Sequence, residues 1–177
     1  LDAEGILEFG FQNVAIATGS RWRADGVSRQ HVVPMTIAEE ANVYTPDDLM
    51  SGAVPTGNVL IYDDDHYYMG GVLAELLVSY GAKVTLVTPS AYVSDWTNNT
   101  LEQAAIHARL VELGVEVVLN RGVIEVAADH VVSNCVYSGI IRNFTAEAVV
   151  VVASRASEDV LYQKLLGRKD DWADAGT

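Results

Sequence analysis

Apolar positions along this chain fall into two kinds of run. Short continuous runs bounded by Gly, Pro or Asn predict buried strands, and runs repeating every three or four residues predict helices. The first continuous run, "NVAIATGS" (13–20), predicts a buried strand that ends in a Gly turn. "TPDDLMSG" (45–52) predicts a short helix. Thr45 caps it, Pro46 takes the first helical position, Asp47 and Asp48 fill the first turn, and Gly52 stops it.

A β-α-β unit follows. Residues 58–62 form the first strand and 69–80 the helix, with Val72, Leu73, Leu76, Leu77 and Tyr80 on one stripe. Gly81 ends the helix, and 82–88 form a second strand parallel to the first. A second helix is predicted over 101–113, with Thr100 and Gln103 at capping-box spacing. Gly114 ends it, and 115–120 read as the next strand. The stretch "GVIEVAADHVVSNCVYSGIIRNFTAEAVVVVA" is rich in β-branched residues, with breakers at Ala128–Asp129, Ser138–Gly139 and Asn143. It predicts an antiparallel meander that returns to a buried strand over 148–153. "SEDVLYQKLLG" reads as a helix and "RKDDWADAGT" as a solvated end.

Composition narrows the chemistry. Half of the 177 residues are hydrophobic, enough for a core of one domain plus pieces of another. The longest apolar run, "AVVVVA", is far too short to span a bilayer. "LDAEGILEFG" has neither a basic nor a long apolar segment of the kind a signal peptide needs, and no initiator Met. A trimmed piece of a longer protein is therefore expected. A net charge of −13 repels phosphate backbones and argues against nucleic acid. The single cysteine, Cys135, supports neither an internal disulfide nor a metal cluster, and a reducing, cytoplasmic setting is expected.

Several segments carry a resemblance. "VAIATGS" resembles the A-T-G signature that closes the first part of an FAD-type domain. "TGSRWRADGVSRQH", "YTPDDLMSG", "YMGGVLAELLVSYGAKVTLVT" and "NNTLEQAAIHARLVELGVEVV" resemble the trimethylamine dehydrogenase, dimethylamine dehydrogenase and amine demethylase branch of the Old Yellow Enzyme-like flavoproteins. The resemblance covers nearly the whole chain. It implies an α/β, Rossmann-like three-layer domain of FAD/NAD(P)-binding type, with a parallel sheet and an antiparallel β-meander. It divides the chain into a strip of an FAD/ADP-type domain (1–55), an NAD(P)-type domain (56–153) and a return segment (154–177). It implies a parent enzyme with an N-terminal barrel carrying FMN, a 4Fe-4S centre, and ADP or FAD. By the same resemblance the parent would oxidise an N-methylated amine, pass electrons to an electron-transferring flavoprotein, and form a homo-oligomer. This chain would be a non-catalytic scaffold within it. The alternative is a working NAD(P)H-binding domain of a dienoyl-CoA-reductase-like FMN/FAD oxidoreductase.

The loop "YDDDHYYMGG" (62–71) decides between these. A working dinucleotide loop needs glycines for close approach, a free helix N-terminus for the diphosphate, and an acid after the second strand for the ribose. Here Asp63, Asp64 and Asp65 occupy the glycine region, with His66 after them, and Thr88 and Pro89 stand where the acid belongs. Two charges ~4 Å apart repel by about 4 kcal/mol at an effective dielectric near 20, more than the ~0.3–1 kcal/mol a helix dipole returns. A dinucleotide is therefore not expected to bind. The aspartates are expected to cap the helix, His66 to lie exposed in the loop, and Tyr67 and Tyr68 to cover the helix entrance. Gly70 and Gly71 stand one turn too late to serve as the missing glycines.

Ala17, Thr18, Gly19 and Ser20 are, by the resemblance, part of an ADP- or FAD-binding edge, incomplete because no phosphate loop accompanies it. Arg21, Trp22 and Arg23 read as a packing trio. Trp96, in the polar loop "SDWTNNT", reads as an exposed anchor for the electron-accepting partner. Cys135 reads as a small buried hydrophobe and His107 as a surface residue. No metal site and no catalytic residue is expected.

Overall fold

A computed structural model describes residues 1–11 and 13–175. In chain order its elements are α1 (Ala3–Phe9), β1 (Ser20–Trp22), β2 (Thr36–Ile37), β3 (Val43–Tyr44), α2 (Pro46–Met50), β4 (Asn58–Asp63), α3 (Met69–Ser79), β5 (Lys83–Val87), α4 (Gln103–Glu112), β6 (Glu116–Val118), β7 (Arg121–Val126), β8 (His130–Cys135), β9 (Ile141–Thr145), β10 (Ala148–Val152), β11 (Arg155–Ser157) and α5 (Val160–Leu166). They fold as two compact units, 1–21 with 155–177, and 22–154.

The larger unit is α/β. A five-stranded parallel sheet runs in the order β3-β10-β4-β5-β6. One face of it is covered by helices. Val59 and Ile61 of β4, Val84 and Leu86 of β5, and Val150 and Val152 of β10 meet Leu49 of α2, Leu73, Ala74 and Leu77 of α3, and Leu110 of α4. The alternate residues, Leu60, Tyr62, Val87, Val149 and Val151, pack on Val123, Val126, Val131 and Phe144 of a second sheet ordered β2-β7-β8-β9. The inner strands β4 and β10 are therefore dry on both faces, which is why they read as unbroken apolar runs, whereas Lys83 of β5 and Glu116 of β6 stay exposed. Each valine so buried contributes on the order of 1.5–3 kcal/mol.

α2 carries the cap its sequence predicts. Thr45 Oγ1 accepts from Asp48 N–H at 3.4 Å, and Asp48 Oδ2 accepts from Thr45 N–H at 2.7 Å. The other helices depart from expectation in detail. On α3 the buried face is Gly70, Gly71, Leu73, Ala74 and Leu77, while Val72 and Tyr80 stand more than half exposed. Packing against two strands selects the glycine face, because α4 comes close there. α4 has no capping box: Thr100 Oγ1 donates to Thr97 O at 3.1 Å, and Gln103 is buried with Nε2 donating to Val93 O at 3.1 Å. Asn143 does not break the meander but sits inside β9, paired with Val132 of β8.

The smaller unit packs Ala3 and Ile6 of α1 and Leu165 of α5 with Leu7, Ile16, Leu161 and Trp172. Helix α1, whose Asp2 cap accepts from Gly5 N–H at 3.0 Å, has no counterpart in the sequence reading. The expected strand over 13–20 is a second correction. Only Ser20 is in a strand, and every residue of 13–20 except half-buried Ile16 is exposed. An apolar run becomes a buried strand only between neighbours, and here only the last residue, Ser20, reaches a paired strand, β1, which has β11 as its one partner among the described residues. The expected solvated end forms a 3-10 turn, Lys169–Ala175, with Trp172 half-buried; residues 176–177 lie outside the described residues. Among the described residues no helix is long and apolar enough to cross a membrane.

Candidate functional site

The aspartate loop lies at the carboxyl end of β4, where open α/β sheets take their ligands. Its first two acids are not exposed. Asp63 and Asp64 are 0% and 1% accessible.

Asp63 closes the strand and turns the chain. Its Oδ1 accepts from Asp65 N–H at 3.2 Å and from His66 N–H at 3.1 Å. Its Oδ2 is buried without a hydrogen-bond partner and points at the first turn of α3. A Cβ on Gly70 would stand 2.5 Å from that oxygen, so the glycine is what makes room for the carboxylate. Burial raises the Asp63 pKa; the His66 N–H and imidazole pull it back, leaving it at about 6. The expectation that the aspartates cap α3 is thus corrected. The N-cap is Tyr68, and no side chain bonds there. Asp63 instead places an anion beside the positive end of the helix without bonding to it. That is the place a diphosphate takes in a working loop. Gly71 lets Ile106 of α4 approach, with Cγ2 3.4 Å from where a Cβ would be.

Asp64 faces the other way. Its Oδ2 accepts from Gln30 N–H at 2.8 Å, and its Oδ1 stands 2.8 Å from His66 Nε2. Burial opposes its charge, but the His66 ring, the Ser28 hydroxyl and the Gln30 N–H outweigh it and hold the carboxyl below its usual range. His66 is accordingly not an exposed loop residue. Its side chain is 12% accessible and its backbone is left-handed, with φ 64°. Its Nδ1 lies 3.4 Å from Thr88 Oγ1, beyond the end of β5. Carboxylate, imidazole and hydroxyl are thus in a row, as in a nucleophilic triad. Thr88 is wholly buried and its hydroxyl accepts from Ser90 N–H at 3.3 Å, so no substrate reaches it. The row ties β4 to β5.

The residues upstream of β2 form a strap that sequence reasoning missed. Asp25 holds its base: it pairs with Arg23 at 2.5 Å and accepts from Val27 N–H at 3.1 Å. Ser28 N–H donates to His31 O at 2.7 Å, making a tight turn. From that turn Gln30 reaches Asp64, and His31 Nε2 lies 2.7 Å from the position of a Cβ on Gly122 of β7. Beneath it Tyr62 is fully buried, and burial pushes its phenol far above the usual value. The strap therefore crosses the carboxyl ends of β4 and the β6–β7 passage, ground a coenzyme would need. A signal was present in "ADGVSRQH": the short polar residues of a tight turn. Nothing local tied them to Asp64, 34 residues from Gln30.

The arginines are engaged. Arg21 pairs with Glu158 at 2.5 Å and Arg23 with Asp25, while Trp22 is buried with its N–H donating to Asp47 Oδ2 at 2.9 Å. In the smaller unit Ala17, Thr18, Gly19 and Ser20 are all exposed. Thr18 Oγ1 and Gly19 O bond to the backbone of Glu158, and Gly19 has φ 76°. Ala17 and Thr18 border an apolar groove of about 440 Å³ with Ile6, Phe11, Val14 and Leu161. Strand β1 rather than a helix follows Gly19, so these residues offer no helix N-terminus to a phosphate.

Trp96 is 43% exposed, with its ring at the surface rather than folded into the core. Tyr67 and Tyr68 are similarly exposed, so they cover the helix entrance only in part. Among the described residues no cluster of His, Cys, Asp and Glu is arranged to hold a metal ion.

Cys135 corrects its expectation. It is half-exposed, at the end of β8, and the Ser138 hydroxyl with the N–H groups of Ser138 and Tyr137 lowers its thiol to about 7. Its alkylation by iodoacetamide is expected to reach half its maximal rate near pH 7, well below the ~8.5 of a free thiol. Ser138→Ala is expected to move that midpoint upward, and mass spectrometry across a pH series reads it.

Residues 44–155 match the model of the OYE-like second alpha/beta domain. A dimethylamine dehydrogenase of Hyphomicrobium sp. (strain x) is 30% identical over an alignment covering 97% of this chain and 26% of that protein. The structure of a histamine dehydrogenase from Rhizobium sp. 4-9 superposes with a TM-score of 0.95 at 58% identity, over 99% of this chain and 28% of that one. The 6-hydroxypseudooxynicotine amine oxidase of Pseudomonas geniculata N1 gives 0.91 at 36% identity, over 96% of this chain and 26% of that one. This chain thus spans 26–28% of the length of these relatives.

Proposed function

Since the chain belongs to the family of the OYE-like second alpha/beta domain, we propose that it is a Rossmann-like unit that has kept the frame of a dinucleotide-binding domain and filled the ligand's place with its own side chains. In this reading it is a non-catalytic part of a larger amine dehydrogenase or demethylase. That enzyme carries FMN, a 4Fe-4S centre and ADP or FAD, and works on an amine donor such as an N-methylated amine. One cysteine cannot hold the iron–sulfur cluster, so the barrel of the larger protein must supply its ligands. The exposed Ala17–Ser20 edge is one side of the adenine-nucleotide site, completed by that same protein. An electron-transferring flavoprotein is the acceptor, and the assembly is a cytoplasmic homo-oligomer.

The observation that carries this reading is Asp63. Its buried carboxylate sits beside the start of α3, with Gly70 cut back to admit it. A diphosphate would have to displace a buried anion, break its two backbone bonds, and dislodge the strap held by Asp64. Several unfavourable steps of about 1–3 kcal/mol each outweigh what one helix N-terminus offers. The comparisons support the amine-oxidising setting, since dimethylamine and histamine dehydrogenases are among the relatives.

Calorimetric titration of the chain with NADH and with NADPH tests the reading. No saturable binding is expected up to about 1 mM. A micromolar dissociation constant would overturn it in favour of a working NAD(P)H domain.

A further inference from the structure

The loop that closes the vestigial site also builds a surface that the core does not use. Tyr67, Tyr68 and Trp96 are 43%, 40% and 43% exposed. Tyr67 and Trp96 stack with centroids 6.2 Å apart and planes 6° from parallel, and the Tyr68 ring lies 6.1 Å from Tyr67. The Arg29 guanidinium, carried by the strap, rests 5.0 Å from the Trp96 ring centre. Leu101 is 91% exposed, held out on left-handed backbone with φ 64°.

These groups are ordered in advance. Trp96 N–H donates to His66 O at 3.0 Å. The Tyr68 hydroxyl bonds to the Glu102 carboxylate and lies 3.2 Å from Thr100 Oγ1. Aromatic rings already fixed in place lose little freedom on docking, and Trp, Tyr and Arg are the residues on which protein interfaces concentrate their affinity. Four large apolar groups left together on a surface mark a contact site more than chance exposure does.

Charge selects the occupant. The Glu102 carboxylate holds the Tyr68 hydroxyl, Asp95 precedes Trp96 in the chain, and Arg29 is the cation stacked on the Trp96 ring. The chain as a whole carries −13. A second copy would set acid against acid, and nucleic acid would be repelled likewise. We propose that Tyr67, Tyr68, Trp96 and Leu101 form a docking face for a protein whose contact surface is apolar at its centre and basic at its rim. Resting on the function proposed above, that protein is the electron acceptor, and this chain supplies its anchoring surface while the redox groups lie elsewhere in the larger enzyme.

Calorimetric titration of the chain with an electron-transferring flavoprotein, at low and at high salt, puts this face on trial. Variants Trp96→Ala and Leu101→Asp are compared with Tyr137→Ala, which removes a still more exposed ring from the β8–β9 turn. Binding is expected to weaken at least about tenfold in the first two, stay within about twofold in the third, and weaken with salt. Leu101 is almost wholly exposed, so its variant reports on docking even if Trp96→Ala perturbs the fold. If the wild type binds and all variants bind equally, the face is wrong and the partner stands. If the wild type does not bind at all, the partner reading falls and this inference with it. Sedimentation showing self-association that Trp96→Ala abolishes would assign the face to a second copy and overturn the proposal.

Discussion

Gly70→Ala is expected to destabilise the larger unit by about 2–4 kcal/mol, although glycine to alanine inside a helix ordinarily stabilises by about 1 kcal/mol. The added Cβ would stand 2.5 Å from Asp63 Oδ2, 2.6 Å from its Cγ and 3.0 Å from its Cβ. Since the base of the Asp63 side chain is itself too close, no rotamer change relieves the clash. Either β4 and α3 move apart or the carboxylate leaves its two backbone N–H groups. Urea unfolding of Gly70→Ala, Asp63→Ala and the double variant reads the coupling. In the Asp63→Ala background the second change is expected to be neutral or stabilising, so the cycle gives a coupling of the same ~2–4 kcal/mol. Additive effects would mean that the two positions do not meet.

The second large effect depends on pH. In the folded protein Asp63 holds its proton up to about 6, whereas an aspartate ordinarily releases it near 3.8. Between those values the folded state binds more protons than the unfolded state, so this group's contribution to stability falls as pH rises through the window and stays low above it. The difference of about two pKa units corresponds to up to about 3 kcal/mol. Asp63→Asn keeps an oxygen for the two N–H groups but does not titrate. The variant is expected to be the weaker protein at pH 4, because it puts an amide where a neutral acid sat comfortably, and to gain on the wild type up to pH 7. Thermal or urea unfolding across that range checks it, and parallel stability curves would refute the buried charge. Asp64 works in the opposite direction. Its pKa is lowered, so the stability it adds is present above the ordinary carboxylate value and is lost as pH falls through its folded value.

The elements that define the frame are legible because their residues announce themselves locally. β4 and β10 are continuous apolar runs with no polar face along their length, which only strands covered on both sides require. α2 is legible to its individual caps, since Thr45, Pro46 and Asp48 lie within four residues of one another. Local pattern fails where a residue's role depends on a distant one. Aspartates that precede a helix read as its caps; Asp64 instead bonds to the strap, and His66 is drawn partly inward because Asp64 and Thr88 bracket its ring. The failure at 13–20 is of another kind. An apolar pattern states that a segment prefers burial, and only neighbouring strands decide whether it is buried. The capping-box spacing at Thr100 and Gln103 is present, but Gln103 is drawn inward to Val93 and the spacing has no structural use.

The interior position of β10 has a consequence for how the molecule is made. It lies between β3 and β4, pairing Val149 with Val43 on one side and with Leu60 on the other. While the chain is emerging from a ribosome, β3 and β4 therefore have an empty slot between them until roughly a hundred later residues have been synthesised. Nascent chains that stop short of this strand are expected to remain open, with an unpaired β4 edge for chaperones to guard, and completion of the sheet is a late, long-range step.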